Sequence, residues 1–303
     1  VVTAVAAPVV TQPGVYALTP EQYHLDPVRG GSLSVSGARK LLPPSVPALF
    51  KYDREHRSSR PLNPVFNLGH GAHRVVLGAG SDLELIDAAD YHTKAAQHTR
   101  DAAYAEGRIP VLPREMEQIQ AMHAAVRENP TAAALFDPER GRPEQCLFWI
   151  DPETGVMRRA MLDWLQNTIP GRRVIVGDYK TADQVDKASV EKSMVNYGYG
   201  MQAPWYLDGV EALGLSPDYE PAFVFVFQMK KPPYLVATYQ PDPDVLYWGR
   251  LQNRKAIALY QACVVDGYWP DYADNGVISV GLPGWAKWAL RNGEYDDTEG
   301  NGA

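Results

Sequence analysis

Asp163-Trp-Leu-Gln-Asn-Thr-Ile-Pro-Gly-Arg-Arg-Val-Ile-Val-Gly-Asp178-Tyr-Lys180 is the stretch on which the fold turns. Ile169-Pro-Gly171 is a turn signal flanked by β-forming residues, so two successive strands are expected, one carrying Asp163 and the next Asp178. Side chains alternate along a strand, which puts Asp178 and Lys180 on one face and Tyr179 on the other. The approach Val174-Ile-Val-Gly177 is very apolar, and a buried strand that delivers a carboxylate and an ammonium together marks a site. Two carboxylates brought side by side repel unless a proton or a cation lies between them. Oxygen ligands favour a hard divalent ion, Mg²⁺ or alternatively Mn²⁺. A phosphodiester suits such a site, with Lys180 holding the nucleophile or offsetting charge as it develops.

Outward from this stretch the hydrophobic period identifies the neighbours. Strands are expected over 144–150, 156–165 and 173–180. A helix over 113–128 has Met116, Ile119, Met122 and Val126 at helical spacing and Pro113 in its first turn. An earlier helix over 66–77 has Leu68, Ala72, Val75 and Val76 on its apolar face and His73 near the edge of that face. Ser36 is expected to cap a short helix starting near Gly37. A helical segment over 185–214 has Pro204 as a local kink, so Gln202 and Tyr206, four apart, share a face if the helix continues through it. Residues 221–229 and 234–240 read as a strand pair joined across Lys230-Lys-Pro-Pro, followed by a helix over 242–265 capped by Asp242. Pro8, Pro13, Pro20 and Pro27 suggest an irregular, loosely docked arm over 1–30, and the acidic end, 291–303, reads as a disordered tail. The expected architecture is one α/β domain over 31–290, a mixed central sheet flanked by helices.

Composition narrows the function classes. The chain has 303 residues, a net charge of −7 and two cysteines, Cys146 and Cys263. That is too few cysteines for a disulfide framework, a four-cysteine zinc site or an iron–sulfur cluster, which excludes the iron–sulfur nucleases. The acidic balance argues against broad coating of nucleic acid, so phosphate contacts must come from local basic groups, of which Arg54, Arg57, Arg158 and Arg159 are the candidates. No run approaches the roughly 18 apolar residues that span a bilayer, and the first ten residues lack a signal's basic start. The expectation is a cytoplasmic protein with no membrane contact.

An ordered series of motifs resembles the PD-(D/E)xK nuclease superfamily, and within it the RecE-like, or exodeoxyribonuclease VIII-like, exonucleases of phages and prophages. The series runs through Tyr23-His-Leu-Asp26, Ser32-Leu-Ser-Val-Ser-Gly37, Leu68-Gly-His-Gly-Ala-His73, Glu144, Asp163, Asp178-Tyr-Lys180 and Gln202-Ala-Pro-Trp-Tyr206. It ends with Gly267-Tyr-Trp-Pro-Asp-Tyr272 and Leu282-Pro-Gly-Trp285. Leu162 stands where the superfamily name has proline. The resemblance implies a restriction-endonuclease-like core. It makes Asp163, Asp178, His73 and the main-chain carbonyl of Tyr179 metal ligands and Lys180 the catalytic lysine. Glu144 would bind a further metal or position water, and Gln202 and Tyr206 would point at substrate or at Lys180. It further implies degradation of linear double-stranded DNA from its ends, 5′ to 3′, leaving 3′ tails for phage recombination in a bacterial host cell. A single-strand annealing protein as partner and a ring-shaped homo-oligomer belong to the same expectation. The alternatives are an endonuclease of this fold and a catalytically silent DNA-binding or assembly module.

Overall fold

Val174, Val176, Phe223, Phe225 and Phe227 lie in one buried cluster, while Tyr179 and Val226, offset by an odd number of residues, lie in another. Strands buried on both faces need apolar residues at every position, which is why 221–229 has no polar alternation. The computed structural model describes residues 9–56, 67–274 and 276–292. In chain order these form β1 (Gly14–Tyr16), α1 (Pro20–His24), β2 (Leu33–Ser34), α2 (Val35–Lys40), α3 (Pro47–Glu55), α4 (Asn67–Leu77), β3 (Leu83–Leu85), α5 (Lys94–Ala105), β4 (Ile109–Val111), α6 (Pro113–Glu128) and α7 (Pro130–Leu135). There follow β5 (Gly141–Ile150), β6 (Met157–Gln166), β7 (Ile175–Ala182), α8 (Lys187–Asn196), α9 (Tyr199–Ala212), β8 (Ala222–Met229), β9 (Val236–Tyr239) and α10 (Pro243–Asp266). A second compact unit spans 270–303 and contains α11 (Gly284–Arg291). No helix among the described residues is long and apolar enough to cross a membrane.

The main sheet has the order β1-β5-β6-β7-β8-β9, with β2 also against β6. Pairing is parallel for β2–β6 and β7–β8 and antiparallel for the other pairs. One face packs on α2, α8, α9 and α10 through Ala38, Met194, Trp205 and Ile257; the other packs on α4, α6 and α7 through Ala72, Met122 and Leu135. This is the mixed sheet flanked by helices that the sequence leads one to expect.

Four details differ from the sequence reading. Ser34, not Ser36, caps α2, because Leu33 and Ser34 are drawn into the sheet and the helix starts directly after them. The segment 185–214 is two helices, broken at Gly198, whose φ of +73° ends one helix and starts the next. The amino-terminal arm is docked from residue 9 onward: β1 pairs with β5, Val10 pairs with Val28, and Leu18 and Tyr23 pack on Cys146 and Phe148. Its prolines do not prevent this, since Pro20 occupies the first turn of α1 behind a Thr19–Gln22 capping box. A second compact unit begins at Pro270, inside the span expected as one domain over 31–290, and residues 293–303 of the expected tail lie outside the described residues.

Pro204 sits inside α9, yet the helix runs on to Ala212. A proline at 204 leaves the Gly200 carbonyl without its helical donor. The backbone of α10 closes over that carbonyl at Gly249, where a β-carbon would come within 1.9 Å of Gly200 O. Asn253 Nδ2 then donates to the next carbonyl, Met201 O, at 3.0 Å. The helix that carries Gln202 is therefore locked by α10. Gly249→Ala is expected to cost about 3 kcal/mol or more, because the obstruction is backbone and cannot swing aside. A thermal melt checks this; an unchanged midpoint would show that the helices separate freely.

Candidate active site

The two acids meet where the sheet forks. β6 keeps β5 along one edge for its whole length, but its other edge is shared: β2 pairs at Arg158 and Arg159, and β7 only at Trp164 and Leu165. The β6–β7 register pairs Trp164 with Gly177, so Asp163 and Asp178 are the next opposed residues, at the point where the ladder stops. On the β5 side the register pairs Gln145 with Leu162 and Pro143 with Trp164, which sets Glu144 opposite Asp163. Glu144, Asp163 and Asp178 thus form a row across three strands. Leu162 and Trp164 should share a face, yet they fall in the clusters on opposite faces, so alternation breaks at Asp163. Glu144 has a φ of +49° at the matching position of β5.

At the fork the Asp163 carboxylate takes the place of a ladder acceptor: the Tyr179 N–H donates to its Oδ2 at 2.9 Å. Because N–H and C=O of one residue point to the same edge of an extended strand, the Tyr179 carbonyl opens into the fork too. Its phenol is anchored away from the site by a hydrogen bond to Gln228, whose amide reaches Met122 O on α6. His73 on α4 places Nε2 3.3 Å from Asp163 Oδ1. Asp178, with no exposed surface, has Lys180 Nζ 2.5 Å from Oδ2, and Gln202 Nε2 donates to Oδ1 at 2.6 Å. Tyr206, one turn after Gln202, is buried and packs on Phe223 with ring centroids 6.0 Å apart, so its ring belongs to the core. Glu144 Oε1 lies beside Gly80, near His73 Nδ1; the φ of +107° at Gly80 lets backbone approach both.

Burial would raise the Asp163 carboxyl, but the charges of His73 and Lys180 and the hydrogen bonds from His73 and Tyr179 bring it down to about 2. Burial pushes Asp178 up to about 6 against the pull of Lys180, with Asp163 adding to the rise. Burial would lower His73 and Lys180, yet each is raised, His73 by Asp163 and Lys180 by Asp178 and Asp163. Burial also raises Glu144.

Among the described residues no three His, Cys, Asp or Glu side chains stand arranged as a finished metal cluster. His73, Lys180 and the Tyr179 and Gln202 donors occupy the carboxylate directions instead. The donor set nonetheless fits a hard cation. Asp178 Oδ2 is buried and has no aligned hydrogen-bond donor, and the row of acids is held together by one proton-hungry carboxyl and two cationic side chains.

The sign of the pH dependence follows. A group whose folded pKa is raised stabilises the fold below its unfolded value and loses that contribution as pH rises through the folded one. Asp178 and His73 both act this way, so the metal-free protein is expected to melt at a lower temperature at pH 8 than at pH 5.5. Added Mg²⁺ should recover the loss at pH 8. Melts in EDTA and in Mg²⁺ check this, and a midpoint that neither falls with pH nor responds to Mg²⁺ would contradict it.

The family model described as "PDDEXK-like domain of unknown function (DUF3799)" matches residues 65–277, a span that contains His73, the acid row, Lys180 and Gln202. The chain belongs to this family. Its PDDEXK-like domain has the mixed α/β sheet of the PD-(D/E)xK superfamily, as expected from the motifs. A solved structure of a "putative exonuclease" from Eubacterium rectale is similar in fold, with a TM-score of 0.54 at 11% identity over 93% of this chain and 96% of that one. The solved structure of SSO0001 overlaps less well, with a TM-score of 0.26 at 15% identity over 63% of this chain and 85% of that one. No curated protein matches the chain in sequence.

The PDDEXK-like domain places the basic candidates differently from the acids. Arg158 and Arg159 are both buried. Arg158 lies between Asp151 and Asp208 and over the rings of Trp149 and Trp205, and Arg159 bonds Asp26 and Ser32. They are internal ties and not phosphate contacts, because a guanidinium so desolvated and paired is not available to DNA. Arg54 is spent in part on Gly30 O and the Tyr260 hydroxyl. Arg57 lies outside the described residues. Tyr199, which sequence reasoning passed over, has its ring 5.1 Å from Lys180 Nζ. Its signal was its place three residues before Gln202, on the same helical face.

Proposed function

We propose that this chain is a divalent-metal-dependent exodeoxyribonuclease that degrades linear double-stranded DNA from its ends, 5′ to 3′, leaving 3′ single-stranded tails. The observation that carries the reading is the convergence of Asp163 and Asp178 at the fork, with the Lys180 ammonium on the same carboxylate. Asp163, Asp178, His73 and the Tyr179 carbonyl would hold the ion, Mg²⁺ or Mn²⁺, with Glu144 at the edge. When bound, such an ion polarises a phosphate and acidifies water. The chain's own residues do the rest. Lys180, released from Asp178, orients the nucleophile and offsets charge on the phosphoryl oxygens. Gln202, which donates to Asp178, fixes the direction of its carboxylate. The acidic site leaves DNA to be gripped by basic groups other than Arg158 and Arg159, by the bound ions, or by assembly.

The resemblance to RecE-like enzymes supports the wider setting: phage recombination in a bacterial cytoplasm, a ring-shaped homo-oligomer around DNA and a single-strand annealing protein as partner. End-labelled linear and closed circular duplexes, each incubated with Mg²⁺, Mn²⁺ or EDTA, test the activity. Loss of linear DNA alone, from the 5′ end and only with metal, is the expected result. Cutting of the circle would make the chain an endonuclease, and no degradation with either metal would make it a silent module.

A further inference from the structure

Tyr197 lies in the turn between α8 and α9 with 63% of its surface exposed. Its backbone is nonetheless fixed. Arg39 donates to the Tyr197 carbonyl at 2.7 Å and also to the Asn196 carbonyl, and it lies so close over Gly198 that a β-carbon there would meet its Cδ at 2.7 Å. A single exposed aromatic is ordinary; what distinguishes this one is what lies beneath it. The Tyr197 ring leans on Tyr199 at 5.6 Å and 36°. Tyr199 in turn packs on Phe225 and Phe227 at 5.8 and 6.0 Å and carries Lys180 Nζ 5.1 Å from its centroid. An aromatic column therefore rises from the core to solvent, one ring removed from the lysine of the acid row, and ends on a fixed backbone with a guanidinium beside it.

We propose that Tyr197 stacks on a nucleobase next to the scissile phosphate of the bound strand. This deepens the nuclease reading and rests on it. The 5.1 and 5.6 Å steps set the Tyr197 ring at most about 11 Å from Lys180 Nζ, a span that the phosphate-to-base reach of one or two nucleotides covers. Internal bases of a duplex have both faces covered and only the terminal base has an open one, so the stacked base lies at the DNA end, either as the paired terminal base or as one frayed from it. Stacking on a ring is tolerant of base identity, and the adjacent Arg39 favours a polyanion.

The test is a titration of single-stranded oligonucleotides carrying 2-aminopurine near one end, in EDTA and in Ca²⁺, with wild type, Tyr197→Ala and Tyr197→Trp. It is paired with kcat and KM on linear duplexes whose terminal nucleotides are intact or abasic. Wild type and the tryptophan variant should quench the fluorophore. The alanine variant should not quench it, and its KM on intact ends should rise about tenfold with kcat within a factor of two. On ends abasic at the stacked position the alanine variant and wild type should coincide. Quenching by the alanine variant, no quenching by wild type, or an equal loss on intact and abasic ends would overturn the proposal. An equal loss would point instead to a structural role or a protein contact. Wild type that quenches but degrades no DNA would overturn the nuclease reading and leave the stacking site standing; degradation indifferent to Tyr197 would do the reverse.

Discussion

Lys180→Ala is expected to lower DNA hydrolysis about a thousandfold, the scale seen when a preorganised charge stabiliser is removed from an active site. Lys180 is the cationic side chain on the Asp178 carboxylate, and its ammonium lies between that carboxylate and the Tyr199 ring. Methylene removal there exposes no large cavity, because the side chain is still 20% exposed. The fold should therefore survive, with Asp178 holding a proton over a wider pH range now that the charge opposing its rise is gone. Single-turnover rates on a linear duplex, with a circular dichroism melt alongside, separate the two effects. A variant folded and within tenfold of wild type would put the catalytic charge elsewhere.

Asp163→Asn is expected to be comparably severe, and for a different reason. Asp163 joins three elements: it accepts the Tyr179 N–H from β7, pairs with His73 from α4, and opposes Asp178 across the fork. The amide oxygen can still accept from Tyr179, so the strands should hold. The negative charge that keeps His73 protonated is lost, leaving burial to dominate and the imidazole pKa to fall below its ordinary value. Metal affinity should drop at least about a hundredfold, on the scale that even the partners of metal ligands command. Calorimetric titration with Mn²⁺ and a proton NMR titration of His73 read these two losses. Unchanged metal affinity with a shifted histidine would reduce Asp163 to a structural acceptor.

What was legible in the sequence was local. The Ile169-Pro-Gly171 turn, the apolar run into Asp178 and the spacing of Met116 to Val126 each depend on neighbours a few residues away, and each element formed where expected. The motif series likewise placed Asp163, Asp178, Lys180, His73 and Gln202 around one point, and the folded chain brings them together. The fork itself was not legible. It exists because β2, more than a hundred residues upstream, takes one end of the β6 edge and leaves only the other end to β7. The fate of Arg158 and Arg159 was hidden for the same reason: whether a guanidinium meets water depends on Asp208 from α9 and Asp26 from the amino-terminal arm, neither of them near in sequence. Gln202 and Tyr206 stayed on one helix despite Pro204 because Gly249, on α10, leaves room for the freed carbonyl. Composition carries no trace of such a contact.

Anomalous diffraction from crystals soaked in Mn²⁺ reaches the heart of the matter. A peak touching the carboxylates of both Asp163 and Asp178, with His73 turned toward the ion and Lys180 moved off Asp178, is the predicted result. An empty fork at saturating Mn²⁺, with the His73–Asp163 and Lys180–Asp178 pairs intact, would contradict it.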